Sequence, residues 1–65
     1  MIKDVKSSLM MFAQGEKQAG EETYPMYSEI AKEEGYDDIA NLYRKLAKVE
    51  LSHSRRLMKE LEKLD

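Results

Sequence analysis

Two stretches of helical periodicity, separated by one glycine, confine this chain to a hairpin of helices. Val5, Leu9, Phe12, Glu16, Ala19, Thr23, Met26 and Ile30 step by fours and threes through the first stretch. Ile39, Tyr43, Leu46, Glu50, His53, Leu57 and Leu64 do the same in the second, with Leu42 and Leu61 beside them. Glu, Lys, Leu, Ala and Met dominate and β-branched residues are few, so local propensity agrees with the pattern. Gly35 stands where a helix C-cap is expected. Asp37 or Asp38 opens the next helix with negative charge at its positive end. The reading is an all-α single unit over residues 1–65, with helix 1 over about residues 3–34, a turn at 35–36 and helix 2 over about 37–63. Pro25 falls inside helix 1, where it removes a backbone hydrogen bond and crowds the preceding turn. The stripe keeps its phase across Pro25 through Thr23, Met26 and Ile30, which favours a kinked but continuous helix.

A hairpin of two long helices has one seam and one open side, and it encloses no core. At 65 residues the chain buries a small fraction of its surface. It has no cysteine, so neither a disulfide nor a thiolate metal site holds it together. Two copies packed together close a four-helix bundle, so a homodimer or higher homo-oligomer is expected. The formal charge is −2 with signs interspersed, which argues against a nucleic-acid or anionic-membrane surface. Arg55, Arg56 and Lys59 read as a solvated helix face. The longest apolar run, "LMMFA", is too short for a signal-peptide core or a membrane span, and a cytoplasmic protein is expected.

Glu16, Glu50 and His53 lie on the stripes where packed helices would carry leucine. The spacing of three puts Glu50 and His53 on one face, a turn apart. Measured from the turn at 1.5 Å per residue, Glu16 lies roughly 29 Å away, Glu50 about 22 Å and His53 about 26 Å. All three sit within one or two helical turns of the same height. A buried carboxylate must be paired, protonated or bound to metal, and no Lys or Arg lies on either stripe near this level. Oxygen with some nitrogen and no sulfur suits iron or manganese, with zinc a further occupant. One chain offers too few ligands. A dimer offers four Glu and two His, the pattern of di-iron carboxylate bundles. Bland readings stand beside this one. His53 could be a core histidine donating to a carbonyl, Glu50 could reach the surface if Val49 turned inward, and Glu16 could be solvated near "QGEKQAG".

The stretch "GEKQAGEETYPMYSEIAKEEGYDDIANLYRKLAKVELSHSRRL", residues 15–57, resembles one half of the ferritin-like domain of rubrerythrins. The matching pieces are Gly15-Glu16, "EETYPMY", "EEGYDDIANLY" and Glu50-Leu-Ser-His53. The resemblance implies that Glu16, Glu50 and His53 are iron ligands, with Glu50 bridging two irons, and that Tyr24 matches a tyrosine close to the metals. It also implies a helix continuous through Pro25. The sequence departs from the family in three ways. Only one half is present, so the second comes from another copy. The absence of cysteine means no rubredoxin-like domain, so electrons come from an external donor. Ala19 stands where the half with the "YP" element usually carries a further glutamate.

The expectation is a ferritin-like bundle formed by two hairpins, holding two iron ions per dimer in the Fe2+ or Fe3+ state. It would act as a di-iron oxidoreductase on hydrogen peroxide or dioxygen, with Tyr24 in a catalytic role. Two rivals remain open at this point: a ferroxidase or iron-storage protein of the encapsulated-ferritin kind, and a structural dimerising hairpin with a vestigial metal site.

Overall fold

The computed structural model describes residues 4–64. Three α-helices follow one another: α1 (Val5–Gln18), α2 (Tyr24–Glu33) and α3 (Asp37–Glu62). A π-helical turn, Ala19–Thr23, joins α1 to α2 without a break, so Val5 to Glu33 is one helical rod antiparallel to α3. The extents are 47 × 23 × 11 Å, one helix thick. The radius of gyration is 14.5 Å, against about 11 Å for a compact domain of this length.

Each turn of the chain has a local cause. Asp4 caps α1: its Oδ1 accepts the Ser7 backbone N–H at 2.7 Å and its Oδ2 accepts the Ser7 hydroxyl at 3.1 Å. At the other end Gly35 takes φ 87°, a left-handed conformation that suits glycine. Gly35 N–H then donates to Lys32 O at 3.1 Å and Tyr36 N–H to Ala31 O at 2.8 Å, a Schellman closure that satisfies two terminal carbonyls. Asp37 and Asp38 lie in the first turn of α3, against the positive end of its dipole.

The π turn changes the expected phase. Tyr24 N–H reaches back five residues to Ala19 O. The wider turn takes in one extra residue just before Pro25, whose ring would otherwise crowd the carbonyl four residues upstream. The distortion Pro25 demands is therefore taken up ahead of it, and the stripe does not run on unchanged through Thr23, Met26 and Ile30. Met26 and Ile30 are exposed, while Ser28 and Ala31 turn inward and are buried.

The seam between the rods is built from small residues, not from the large apolar stripe. On α3 the buried positions are Ala40, Ala47, Ser54 and Leu61, each seven residues apart. Across the seam Ala13 meets Ser54, Gly20 meets Ala47 and Ser28 meets Ala40, and Ala31 is buried as well. The step from Gly20 to Ser28 is eight rather than seven, which is the π turn's extra residue. Two hydroxyls pin the seam across the helices: Ser28 donates to Ala40 O at 2.8 Å and Ser54 to Ala13 O at 2.9 Å. A Cβ at Gly20 would stand 2.6 Å from Leu51 Cγ and 2.8 Å from the Ala47 carbonyl oxygen. The large side chains lie outside: Phe12 is 57% exposed, Leu42 54% and Ile39 46%.

Gly20→Ala is expected to destabilise the hairpin by about 1–3 kcal/mol. Helix propensity would favour alanine by about 1 kcal/mol, but the Ala47 carbonyl belongs to backbone and does not swing aside. Urea unfolding followed by circular dichroism, at matched protein concentration, checks the sign. A second expectation concerns Asp4, whose carboxyl the Ser7 backbone hydrogen bond holds below its ordinary range. A depressed folded-state pKa means the cap is fully present above the ordinary aspartate value of about 3.9 and is lost as pH falls through the lowered one. The protection factor of the Ser7 amide, its exchange corrected for the intrinsic rate at each pH, should fall with acid, and Asp4→Asn should remove that pH dependence.

Candidate metal centre

The seam fixes which residues meet on the open face. The Ser54 bond to Ala13 sets His53 level with α1 near residue 16. The contact of Gly20 with Ala47 and Leu51 sets the level on the other side of Glu50. Between these two clamps, Glu16, Glu50 and His53 each present one ligand atom, all within 4.8 Å of one another. His53 Nδ1 lies 3.8 Å from Glu16 Oε2. The Glu16 side chain is 15% exposed and that of His53 is 55%. Glu50 is half-buried. Within one chain, therefore, the trio is not sealed inside an oily seam. It stands at the floor of an open face whose buried seam lies beneath.

One atom in the trio is in difficulty. Glu16 Oε2 is buried and has no hydrogen-bond partner among the described residues. A carboxylate oxygen in that position costs about 1–3 kcal/mol or more unless something neutralises it. The trio's own geometry supplies the remedy. Metal–oxygen and metal–nitrogen bonds of about 2.0–2.2 Å leave two donors on one ion no more than about 4.4 Å apart, so a small movement draws the three atoms onto a cation. Two carboxylates and one imidazole suit iron.

A cavity of about 200 Å³ opens beside Glu16 and His53, lined by Phe12, Glu16, His53, Arg56, Leu57 and Glu60. Phe12 and Leu57 give it apolar walls. Arg56 and Glu60 were outside the stripes and went unread as site residues. Arg56 is exposed, as a residue of a solvated face is, and stands at the cavity rim off the apolar stripe. Their signal was spacing: Arg56 and Leu57 follow His53 by three and four residues, and Glu60 by seven, so all share its face. A second, shallower concavity holds Phe12, Gly15, Glu16 and Glu50. Tyr24 lines neither. Its ring lies 5.8 Å from that of Tyr43, about two helical turns along the rod from Glu16. Ala19 is the first residue of the π turn, so no carboxylate stands at that point.

A helical hairpin with two carboxylates and a histidine gathered on its open face has the form of half of a ferritin-like bundle. The sequence profile of the family Rubrerythrin matches residues 1–61, and the chain belongs to the rubrerythrin family. It is 38% identical over 58 residues to a rubrerythrin of Porphyromonas gingivalis, covering 89% of this chain and 29% of the relative. To a rubrerythrin of Nitratidesulfovibrio vulgaris it is 36% identical over 58 residues, covering 89% of this chain and 30% of the relative. A rubrerythrin of Clostridium perfringens is 36% identical over 56 residues, covering 86% of this chain and 29% of the relative. The chain thus spans about three-tenths of the length of the relatives it matches. No solved structure matches it. No helix among the described residues is long and apolar enough to cross a membrane.

Glu16→Leu tests the electrostatic state of the trio without metal. It removes the orphaned oxygen and keeps the side-chain volume, so the metal-free protein should gain about 1–3 kcal/mol in stability. Denaturant unfolding in the presence of a chelator measures it, and a loss of stability would show that the carboxylate is already satisfied.

Proposed function

We propose that two copies of the chain pack open face to open face and hold a pair of iron ions between their clusters, forming an oxidoreductase for hydrogen peroxide or dioxygen. The observation that supports this most is the buried, unpartnered Glu16 oxygen within reach of Glu50 and His53. The surface argues in the same direction. The chain exposes 5264 Å², about 1,000 Å² more than a compact monomer of 7.6 kDa would show. A standard interface buries about 800 Å² per partner.

In this reading Glu16, Glu50 and His53 of each chain would hold the metal. The iron pair supplies two-electron reduction of the oxidant. The chain's own residues do the rest. Phe12 and Leu57 keep bulk water from the cluster. The carboxylates compensate the charge of the ions in a setting where isolated charge is costly. Tyr24 lies on the same rod as Glu16 but lines neither concavity at the cluster, so any proton it gave would have to reach the cluster through solvent. These 65 residues hold no cysteine to carry reducing electrons, so the electrons come from outside them. That last point favours a second reading, in which ferrous iron is itself the donor and the protein is a ferroxidase or iron-storage component.

Loading anaerobically purified protein with ferrous iron tests the proposal. One iron per chain, and a mass of two chains or a multiple, is expected. Glu50→Leu with His53→Leu should abolish iron uptake while the fold, read by circular dichroism, persists. Adding peroxide or dioxygen then separates the two readings. Turnover with a small-molecule reductant at fixed iron content supports the oxidoreductase, and continued uptake of iron into a ferric mineral supports the ferroxidase. A wild-type chain that takes up no iron leaves only a structural hairpin.

A further inference from the structure

All four tyrosines of the chain lie between the metal cluster and the hairpin turn. Tyr24 and Tyr43 have ring centroids 5.8 Å apart. Tyr43 and Tyr27 are 5.4 Å apart and packed edge to face. Tyr43, Tyr27 and Tyr36 line one concavity together with Glu34. Ring contact thus runs from Tyr24 through Tyr43 to Tyr27, and Tyr36 shares a concavity with the last two. The inner end of this string is tied to the cluster. Tyr43 precedes Glu50 by seven residues, two turns or about 10 Å along α3 on the same face. Tyr24 follows Glu16 by eight residues, and the π turn's extra residue brings it two turns on from Glu16. The outer end reaches water: Tyr24 and Tyr43 are half-buried, Tyr27 is 41% exposed and Tyr36 57%.

Packing alone does not call for phenols here. Aromatic contacts of this kind are served equally by phenylalanine, and the hydroxyl of a half-buried tyrosine ordinarily finds a partner. Among the described residues no hydrogen bond satisfies the hydroxyl of Tyr24, Tyr27 or Tyr43. What a phenol has and a phenyl ring lacks is an electron and a proton that leave together.

We propose that this string is a one-electron path that carries oxidising equivalents from the metal cluster to the exposed phenol at the hairpin turn. The proposal rests on the iron reading given above. Hydrogen peroxide is the oxidant. When no external donor is at hand, one peroxide takes an electron and a proton from each of two tyrosines, leaving two phenoxyl radicals and two waters. Each vacancy then moves outward as an electron passes inward from ring to ring. The inner phenoxyl regains its proton from solvent while Tyr36 gives one up to water or to the Glu34 carboxylate in the same concavity. A thiol or other one-electron reductant then returns an electron and a proton at the surface. The path protects the ligands of the cluster from oxidation when peroxide arrives ahead of reductant.

The test uses iron-loaded full-length protein, hydrogen peroxide and no reductant, with freeze-quenched electron paramagnetic resonance and mass-spectrometric mapping of nitroso spin-trap adducts. Wild type should show a tyrosyl radical, with adducts at Tyr36. Tyr43→Phe keeps the ring and removes the redox group, so adducts at Tyr36 should be lost while iron content and dimer mass stay unchanged. Adducts at Tyr36 that survive in Tyr43→Phe would mean that oxidant attacks the exposed phenol directly, and the path is refuted. Iron that binds and is oxidised by peroxide with no tyrosyl signal refutes the path and leaves the iron reading standing. A chain that binds no iron overturns both.

Discussion

At Gly20 the backbone of one rod lies so close to Ala47 and Leu51 of α3 that no Cβ fits between them. Most of what is distinctive about the chain follows from this close approach. Small residues along the seam let the rods touch backbone to backbone, so Ser28 and Ser54 can reach carbonyls on the opposite helix. The same closeness lets a glutamate on α1 and a histidine on α3 come within 3.8 Å. Larger seam residues would push the rods apart and carry Glu16 away from its partners before touching any of them. Seam and cluster are one constraint seen at two depths.

A seam of small side chains also has a cost. Alanine, glycine and serine bury little apolar area, and no large side chain is fully buried among the described residues. At about 25 cal/mol per Å², such a seam holds two long helices weakly. The apolar area that could add to this lies on the faces left open, at Phe12, Ile30, Ile39 and Leu42. A chain built this way has its missing stability stored in surface that only a further packing partner can use, and its cluster lies on that surface.

Much of this was legible in the sequence, and the misreadings have physical causes. The hairpin follows from two helical periods and Gly35, because a left-handed residue at the end of a helix leaves the chain little choice. The level of Glu16, Glu50 and His53 followed from the helical rise alone, since antiparallel rods sharing a turn keep count. The seam did not follow. Large apolar residues at steps of three and four look like a core, and Ala40, Ala47 and Ser54 at steps of seven look like filler, although they carry the actual contact. Periodicity reports a face, and it does not say which of two apolar faces meets the partner helix within the chain. The π turn was equally hidden. Pro25 announces a distortion, but whether the helix bends or takes in an extra residue depends on which choice lets Ser28 and Ala31 meet α3, and that is a property of the pair of helices. Arg56 and Glu60 escaped for a simpler reason, since charged residues near a helix end are usually solvated and these happen to rim the cavity.

The single extra residue of the π turn has a reach beyond local geometry. Without it, Thr23 and not Tyr24 would stand two turns on from Glu16, and Met26 and Ile30 would take the positions now held by Tyr27 and Ala31. The tyrosines would point away from Tyr43, and the face beside the cluster would be aliphatic. Ala19 opens that turn at the point where the family pattern usually carries another carboxylate in the half with the "YP" element. In an assembly of two identical chains the interface is isologous, so what one half lacks the other lacks too. Such a site would have equivalent surroundings for both ions and no carboxylate at position 19 to which one of them could move. A symmetric pair of hairpins would thus favour chemistry in which the ions stay in place and charge moves instead, by electron and proton, through side chains such as the tyrosines beside them.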